Sequence, residues 1–326
     1  MKRSFVSLFL VVAMLCALSV TAVFAEGQQE KELAYPTKPV DFLIPFGAGG
    51  SCDVLGRTLI DQTKDVFEKS FVPINKTGGG GSVMYQTLYN SKPDGYTVGW
   101  SSTSVLTTTN IGNVPFAYDV FAHVCRIGYT SMPLAIRTDS PYGNLEEFIQ
   151  YAKDNPGKIK IANAGTGSGT HLTAVVFAEE VGIDVSHVPI GADRRMSSLL
   201  GGEGQAICVP LDEVAPHVKS GDAKILAFPT EKRNDEYPDV PTLQESGYDV
   251  VIELFRSISV PKDTPQAIIE KLEATFEHAA GTDAFMNHAE KFGFQVDFMG
   301  HEDFEEYLAK QDKLIAKGMK LGGLVD

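Results

Sequence analysis

The chain has 326 residues, 43% hydrophobic and 21% charged, ordinary globular proportions with length enough for two α/β lobes. Its formal net charge of −14 argues against a nucleic-acid surface or an anionic-membrane face, since both need basic patches. The chain opens on Lys2 and Arg3, and an uncharged, mostly apolar stretch over residues 4–25 closes on Val23-Phe24-Ala25. That pattern reads as a cleaved signal peptide over residues 1–25, which makes the protein periplasmic or otherwise extracytoplasmic. About 20 apolar residues can also span a bilayer, but Ser7, Ser19 and Thr21 dilute this stretch. Cys16 would mark a lipid-attachment site after a small residue, and Leu15 precedes it. Cleavage would leave 26 basic against 42 acidic residues, a balance of −16, and three cysteines: Cys52, Cys125 and Cys208. Three thiols cannot all pair within one chain, and no Cys/His spacing suits zinc. No metal and no cofactor is expected.

Residues 26–34 are polar and read as a disordered tether. A strand over 40–44 is followed by the Gly-rich turn 47–52, with Asp53 at the N-cap position of a helix over 54–67. A second strand, 71–75, runs into Thr77-Gly78-Gly79-Gly80-Gly81-Ser82 and another helix. A third, 96–100, ends in Ser101-Ser102-Thr103-Ser104. Further on come a strand at 134–137, a helix at 145–153, a strand at 158–162, the turn 165–170 and a helix at 171–181. This alternation predicts a doubly wound α/β fold with largely parallel sheets, in which ligands bind at the carboxyl ends of strands. Every Gly/Ser/Thr-rich loop here follows a strand. Near the C-terminus Ile268, Leu272 and Phe276, then Phe304, Leu308, Gln311 and Ile315, recur at helical spacing and read as packing faces.

A Gly-rich turn leading into a helix leaves backbone N–H groups unpaired at the positive end of the helix dipole, a general anion site. Two such loops, 47–53 and 165–171, could grip one carboxylate from opposite sides. Taken singly, such a turn is as often purely structural. A P-loop is absent, and a dinucleotide fingerprint starting at Gly165 fails because position 170 is Thr170. A secreted thiol hydrolase is the enzyme alternative. Cys52 at a helix N-terminus should have a lowered pKa, His171 could be its base, and Asp53 or Asp212 could orient the histidine. No Gly-x-Ser-x-Gly signature accompanies them, and a small residue in a tight turn and a polar wall residue are the simpler readings of Cys52 and His171.

At these loops a resemblance enters. Tyr35-Pro36-Thr37-Lys38-Pro39 and Pro45-Phe46-Gly47-Ala48-Gly49-Gly50-Ser51-Cys52-Asp53 resemble the opening of the substrate-binding proteins of tripartite tricarboxylate transporters, the Bug-type periplasmic receptors. The similarity continues in order through Lys92-Pro93-Asp94-Gly95-Tyr96, Gly165-Thr166-Gly167-Ser168-Gly169-Thr170-His171, His187-Val188-Pro189 and Pro238-Asp239-Val240-Pro241 to Val260-Pro261.

The resemblance implies a type II periplasmic binding protein fold, two doubly wound α/β lobes joined by crossing hinge strands. Lobe 1 would take residues 35–137 and 229–326, and lobe 2 residues 138–228. It further implies a monomer that is not an enzyme, capturing a mono-, di- or tricarboxylate and delivering it to membrane transporter subunits. A sensor subunit presenting its ligand to a membrane kinase would use the same physics. Carried over, the ligand loops are Phe46, Ala48, Gly49, Gly50, Ser51, Cys52 and Asp53, then Gly165, Thr166, Gly167, Ser168, Gly169, Thr170 and His171. Ser101 and Thr103 are implied as lining. Cys52, Ile190 and Val209 depart from the Thr, aromatic and Asp usual in the family, which would make the far wall less polar. Arg256 stands where many members have Tyr and some Arg; facing the cleft, it could grip a second carboxylate, and otherwise it would form an exposed ion pair.

Overall fold

The computed structural model describes residues 34–163, 168–190 and 194–325. The expected signal peptide, nearly all of the tether and Gly165, Thr166 and Gly167 lie outside the described residues. Residues 34–37 precede the body of the protein with a cis bond between Tyr35 and Pro36. Residues 38–326 pack as one unit.

Short apolar runs bounded by turn residues become strands where the sequence marks them. β1 (Val40–Ile44), β2 (Phe71–Asn75) and β5 (Leu134–Arg137) match their expected ranges, and β3 (Thr97–Ser102) runs two residues further than expected. Two sheets result. The first contains these first three strands with β4 (Phe121–Thr130), β10 (Leu254–Pro261) and β11 (Phe294–Met299), in the order β11-β4-β10-β3-β1-β2. The second joins β5 to β6 (Ile159–Asn163), β7 (Val185–Pro189), β8 (Ala206–Cys208) and β9 (Ala223–Ala227), in the order β7-β6-β8-β5-β9.

The sheets are mixed rather than largely parallel. β1 pairs in parallel with β2 and β3, and β6 with β7 and β8, but every pairing of β4, β5, β9, β10 and β11 is antiparallel. The reason is the double crossing. The chain leaves the first sheet after β4 for β5 and returns from β9 into β10, so strands next to a crossing run against their neighbours. β5, expected in lobe 1, belongs to the second sheet, where it pairs with β8 and β9.

Ten helices cover these sheets among the described residues: α1 (Ser51–Asp61), α2 (Ser82–Tyr89), α3 (Ser104–Asn110), α4 (Leu145–Asp154), α5 (Gly169–Val181), α6 (Arg195–Leu200), α7 (Leu211–Lys219), α8 (Gln266–Ala280), α9 (Asp283–Glu290) and α10 (His301–Leu321). Phe42, Phe71, Trp100 and Phe276 interlock under the first sheet. Ile136, Phe148, Ile161 and Phe177 fill the core of the second. The expected packing residues of α8 and α10 are buried. Gln311 fits the apolar row because its amide donates to the Val251 carbonyl at 3.0 Å. α10 touches both halves: Ile315 and Met319 share a core with Leu172 of α5, while Phe304 and Leu308 pack with Phe255 and Tyr129 of the first sheet.

Polar groups stitch the crossings. The Thr103 hydroxyl donates to the Glu253 carbonyl at 2.8 Å and accepts from the Phe255 N–H at 3.0 Å. Arg126 on β4 pairs with Glu253 at 2.9 Å and with Asp297, and the Tyr307 hydroxyl donates to Glu253 at 2.9 Å. No helix among the described residues is long and apolar enough to cross a membrane.

Candidate functional site

The loop after β1 is braced from within. α1 begins at Ser51 under a Gly50 N-cap and ends at Asp61, so Asp53 is its third residue rather than its cap. Its carboxylate turns back to accept the Gly49 N–H at 2.9 Å, Arg57 Nε at 2.9 Å and Asn75 Nδ2 at 2.8 Å. Asn75, at the end of β2, also donates to the Phe46 carbonyl at 2.8 Å and accepts from Arg57 Nη2 at 2.9 Å. Burial opposes ionisation of Asp53, yet the Gly49, Asn75 and Arg57 hydrogen bonds hold its carboxyl below the usual value. With its oxygens so engaged, Asp53 shapes the loop instead of meeting an anion, which its own charge would repel. Asn75 was missed from the sequence because its partners lie 22 and 29 residues away.

Gly49 sits at φ +84, a conformation that needs glycine. The braced loop leaves Ala48, Gly49, Gly50 and Ser51 exposed and Phe46 half-buried. The amides of Ser51 and Cys52, in the first turn of α1, have no acceptor within the helix and point out of its positive end.

The start of α5 offers similar chemistry. Ser168 caps the helix, its hydroxyl accepting the His171 N–H at 3.2 Å and its carbonyl the Leu172 N–H at 2.9 Å. The helix starts at Gly169, two residues before the expected position. A Cβ on Gly169 would lie 2.7 Å from Leu254 Cδ2, so glycine is what lets this helix end reach β10.

Leu254 and Arg256, two residues apart on β10, share one of its faces. Leu254 abuts the start of α5, and the Cys52 carbonyl at the start of α1 accepts at 2.8 Å from Trp100 Nε1 on β3, the strand paired with β10. The two helix N-termini therefore flank one short strip of β10. Arg256 is half-buried, and its guanidinium hydrogen bond goes to the Phe255 carbonyl at 3.3 Å, next to it in the chain. The exposed ion pair considered for it is absent among the described residues.

Other expected lining residues turn inward. Thr103 spends its hydroxyl on the Glu253 and Phe255 backbone. Ser101 is fully buried opposite Ser257, and neither hydroxyl has a partner among the described residues. Val209 has no exposed surface and packs with Ala162, Leu199 and Ile207, while Ile190 lies half-buried against the same cluster.

The electrostatics of the hydrolase pair do not favour a thiolate. Burial raises the Cys52 thiol, outweighing the pull of Arg256, and Asp53 raises it further. Burial also lowers the His171 imidazole, whose ring stands perpendicular to His187 at 5.1 Å. Cys52, Cys125 and Cys208 are all free and buried. Among the described residues, no three His, Cys, Asp or Glu side chains could hold a metal ion.

Two mixed sheets, linked by two crossings and presenting helix N-termini at strand ends, define a type II periplasmic binding protein, a class of solute receptors. The family model of the tripartite tricarboxylate transporter family receptor matches residues 55–320, and the chain belongs to that family. It is 31% identical over 328 residues to the Cupriavidus necator "UPF0065 protein in gbd 5'region", covering 98% of both chains. A ligand-free solute-binding protein of this family from Polaromonas superposes with a TM-score of 0.84 at 29% identity, over 88% of this chain and 99% of its own. The periplasmic binding protein BugD gives 0.67 at 27%, over 89% and 99%. More distant members of the same fold, both from Rhodopseudomonas palustris, were solved with adipate and with malate, at 22% and 20% identity and TM-scores of 0.69 and 0.63, each over about nine-tenths of this chain.

Proposed function

We propose that this protein is an extracytoplasmic receptor that captures a small organic acid between its two lobes and delivers it to a tripartite tricarboxylate-type transporter in the membrane. The observation that carries the reading is the pair of helix starts, at Gly50–Ser51 and Ser168–Gly169, flanking one strip of β10. Their backbone amides supply the donors that a carboxylate needs. Membership of the receptor family supports the delivery role. Because the donors come from different lobes, ligand binding favours the closed arrangement of the two. The lobes take residues 38–130 with 254–325 and residues 134–227, with the crossings as hinges.

A thermal-shift screen against mono-, di- and tricarboxylates, with adipate and malate among them, tests the reading. A true ligand at about 100 times its Kd stabilises the protein by about 2.7 kcal/mol. No shift across the panel, with folded protein, would sink the carboxylate assignment.

A further inference from the structure

The described residues contain seven arginines, and five of them hold an acid: Arg57, Arg126, Arg137, Arg195 and Arg233. Arg194 is exposed to water. Arg256 alone is half-buried with no carboxylate partner among the described residues, in a chain carrying 42 acids to 28 basic side chains. A guanidinium partly removed from water is stabilised by an anion, and the described residues offer it none.

Two features fix where that guanidinium works. It shares a face of β10 with Leu254, whose side chain abuts Gly169 at the start of α5. Arg256 pairs with Ser102 on β3, the strand whose Trp100 donates its Nε1–H at 2.8 Å to the Cys52 carbonyl in the first turn of α1. Among the described residues no acid pairs with it. Asp53 is engaged by Gly49, Arg57 and Asn75, and Ser102, opposite Arg256 on β3, is tied to Ser104 at 2.8 Å.

We infer that Arg256 is the specificity-determining residue of the site, receiving the second carboxylate of a dicarboxylate whose first carboxylate sits on the helix N-termini. The inference rests on the carboxylate-receptor reading and narrows it to diacids. The planar guanidinium donates two parallel N–H bonds to one carboxylate, a fit that a neutral amide at the same place cannot make. Leu254, beside it, contacts the apolar chain between the two acid groups.

The test compares each diacid with its own mono-amide, by calorimetric titration of the mature protein with succinate, glutarate, adipate and their mono-amides. The wild type is expected to prefer at least one diacid over its mono-amide by about 30-fold or more. Arg256→Gln should lower diacid affinity far more than mono-amide affinity and so abolish that preference, and Arg256→Lys should keep part of it. Unfolding curves of the ligand-free variants check that each is folded. Equal binding of diacid and mono-amide by the wild type, or an equal loss of both in Arg256→Gln, overturns the inference and leaves the carboxylate reading standing. Binding of no acid at all overturns both.

Discussion

Arg126 Nη1 lies 2.9 Å from Glu253 Oε2, and both side chains are 1% exposed. Arg126 belongs to the strand that leaves the first sheet, and Glu253 to the segment that re-enters it. One buried charge pair therefore locks both crossings together, with Asp297 and the Tyr307 ring, 4.8 Å away, completing the shell around the guanidinium.

Stability should carry a pH signature from Glu253. Burial pushes its carboxyl up to about 7, against the pull of Arg126 and the Tyr307 hydroxyl, while Glu231 and Asp297 push the same way. A pKa raised in the folded state means that folding is favoured when the group is protonated. That contribution is whole below about 4.3 and is lost as pH rises through about 7. Its ceiling is on the order of 3 kcal/mol, from a rise of about 2.5 pKa units. Urea unfolding at pH 5, 6, 7 and 8 should show a decline that Glu253→Gln lacks; an identical slope in both proteins would rule the assignment out.

Removing the loop brace should weaken binding more than its distance from the ligand suggests. Asn75→Ala deletes the donors to Phe46 and Asp53 and the acceptor for Arg57. The expected cost is about 1–3 kcal/mol of stability and roughly tenfold in carboxylate affinity. Asp53, with its lowered pKa, adds stability above about pH 4 that is lost in acid. Titration with any acid that binds the wild type is the check, and unchanged affinity would show that the loop keeps its shape unaided.

The thiols should be inert in the native protein. Burial raises all three, Cys208 to about 12, so iodoacetamide at pH 8 should label none of them until denaturant is added. Cys52→Ser should keep ligand affinity within about twofold, a change of only a few tenths of a kcal/mol. Rapid native labelling of Cys52 would revive the hydrolase.

Two glycines should respond in opposite ways. A Cβ on Gly128 would lie 2.1 Å from the Gln295 carbonyl oxygen, so Gly128→Ala must part β4 from β11, at a cost of about 3 kcal/mol or more. A Cβ on Gly47 meets nothing within 4 Å, and Gly47→Ala should stay within about 0.5 kcal/mol of wild type. Chemical denaturation of the two variants side by side decides it.

Much of this was legible where the determinants are local. Residues 40–44, 71–75 and 134–137 announce themselves as apolar runs between turn residues, and the Gly-rich loops follow strands as the pattern requires. β4 was not legible, because a wholly buried strand carrying His123 and Arg126 does not look like one. His123 is satisfied by Ser259 and Tyr118, and Arg126 by Glu253 and Asp297, all brought by the fold. The thiol at 52 misled for the same reason: the helix-end rule is local, and the burial that overrides it is not. Ser101, Thr103 and Val209 sit at plausible chain positions, but which way they face depends on strand pairings that the sequence does not show.

The helix over His301–Leu321 adds a constraint that the crossings alone would not impose. It rests on the first sheet and, at Gly318, meets α5 so closely that a Cβ there would stand 2.6 Å from Val176 Cγ2. A glycine notch of this depth lets two helices roll about the contact but blocks sliding past it. For the lobe closure proposed above, that contact would act as a fixed fulcrum, and a bulky residue at 318 as a wedge that sets the resting angle without touching the ligand.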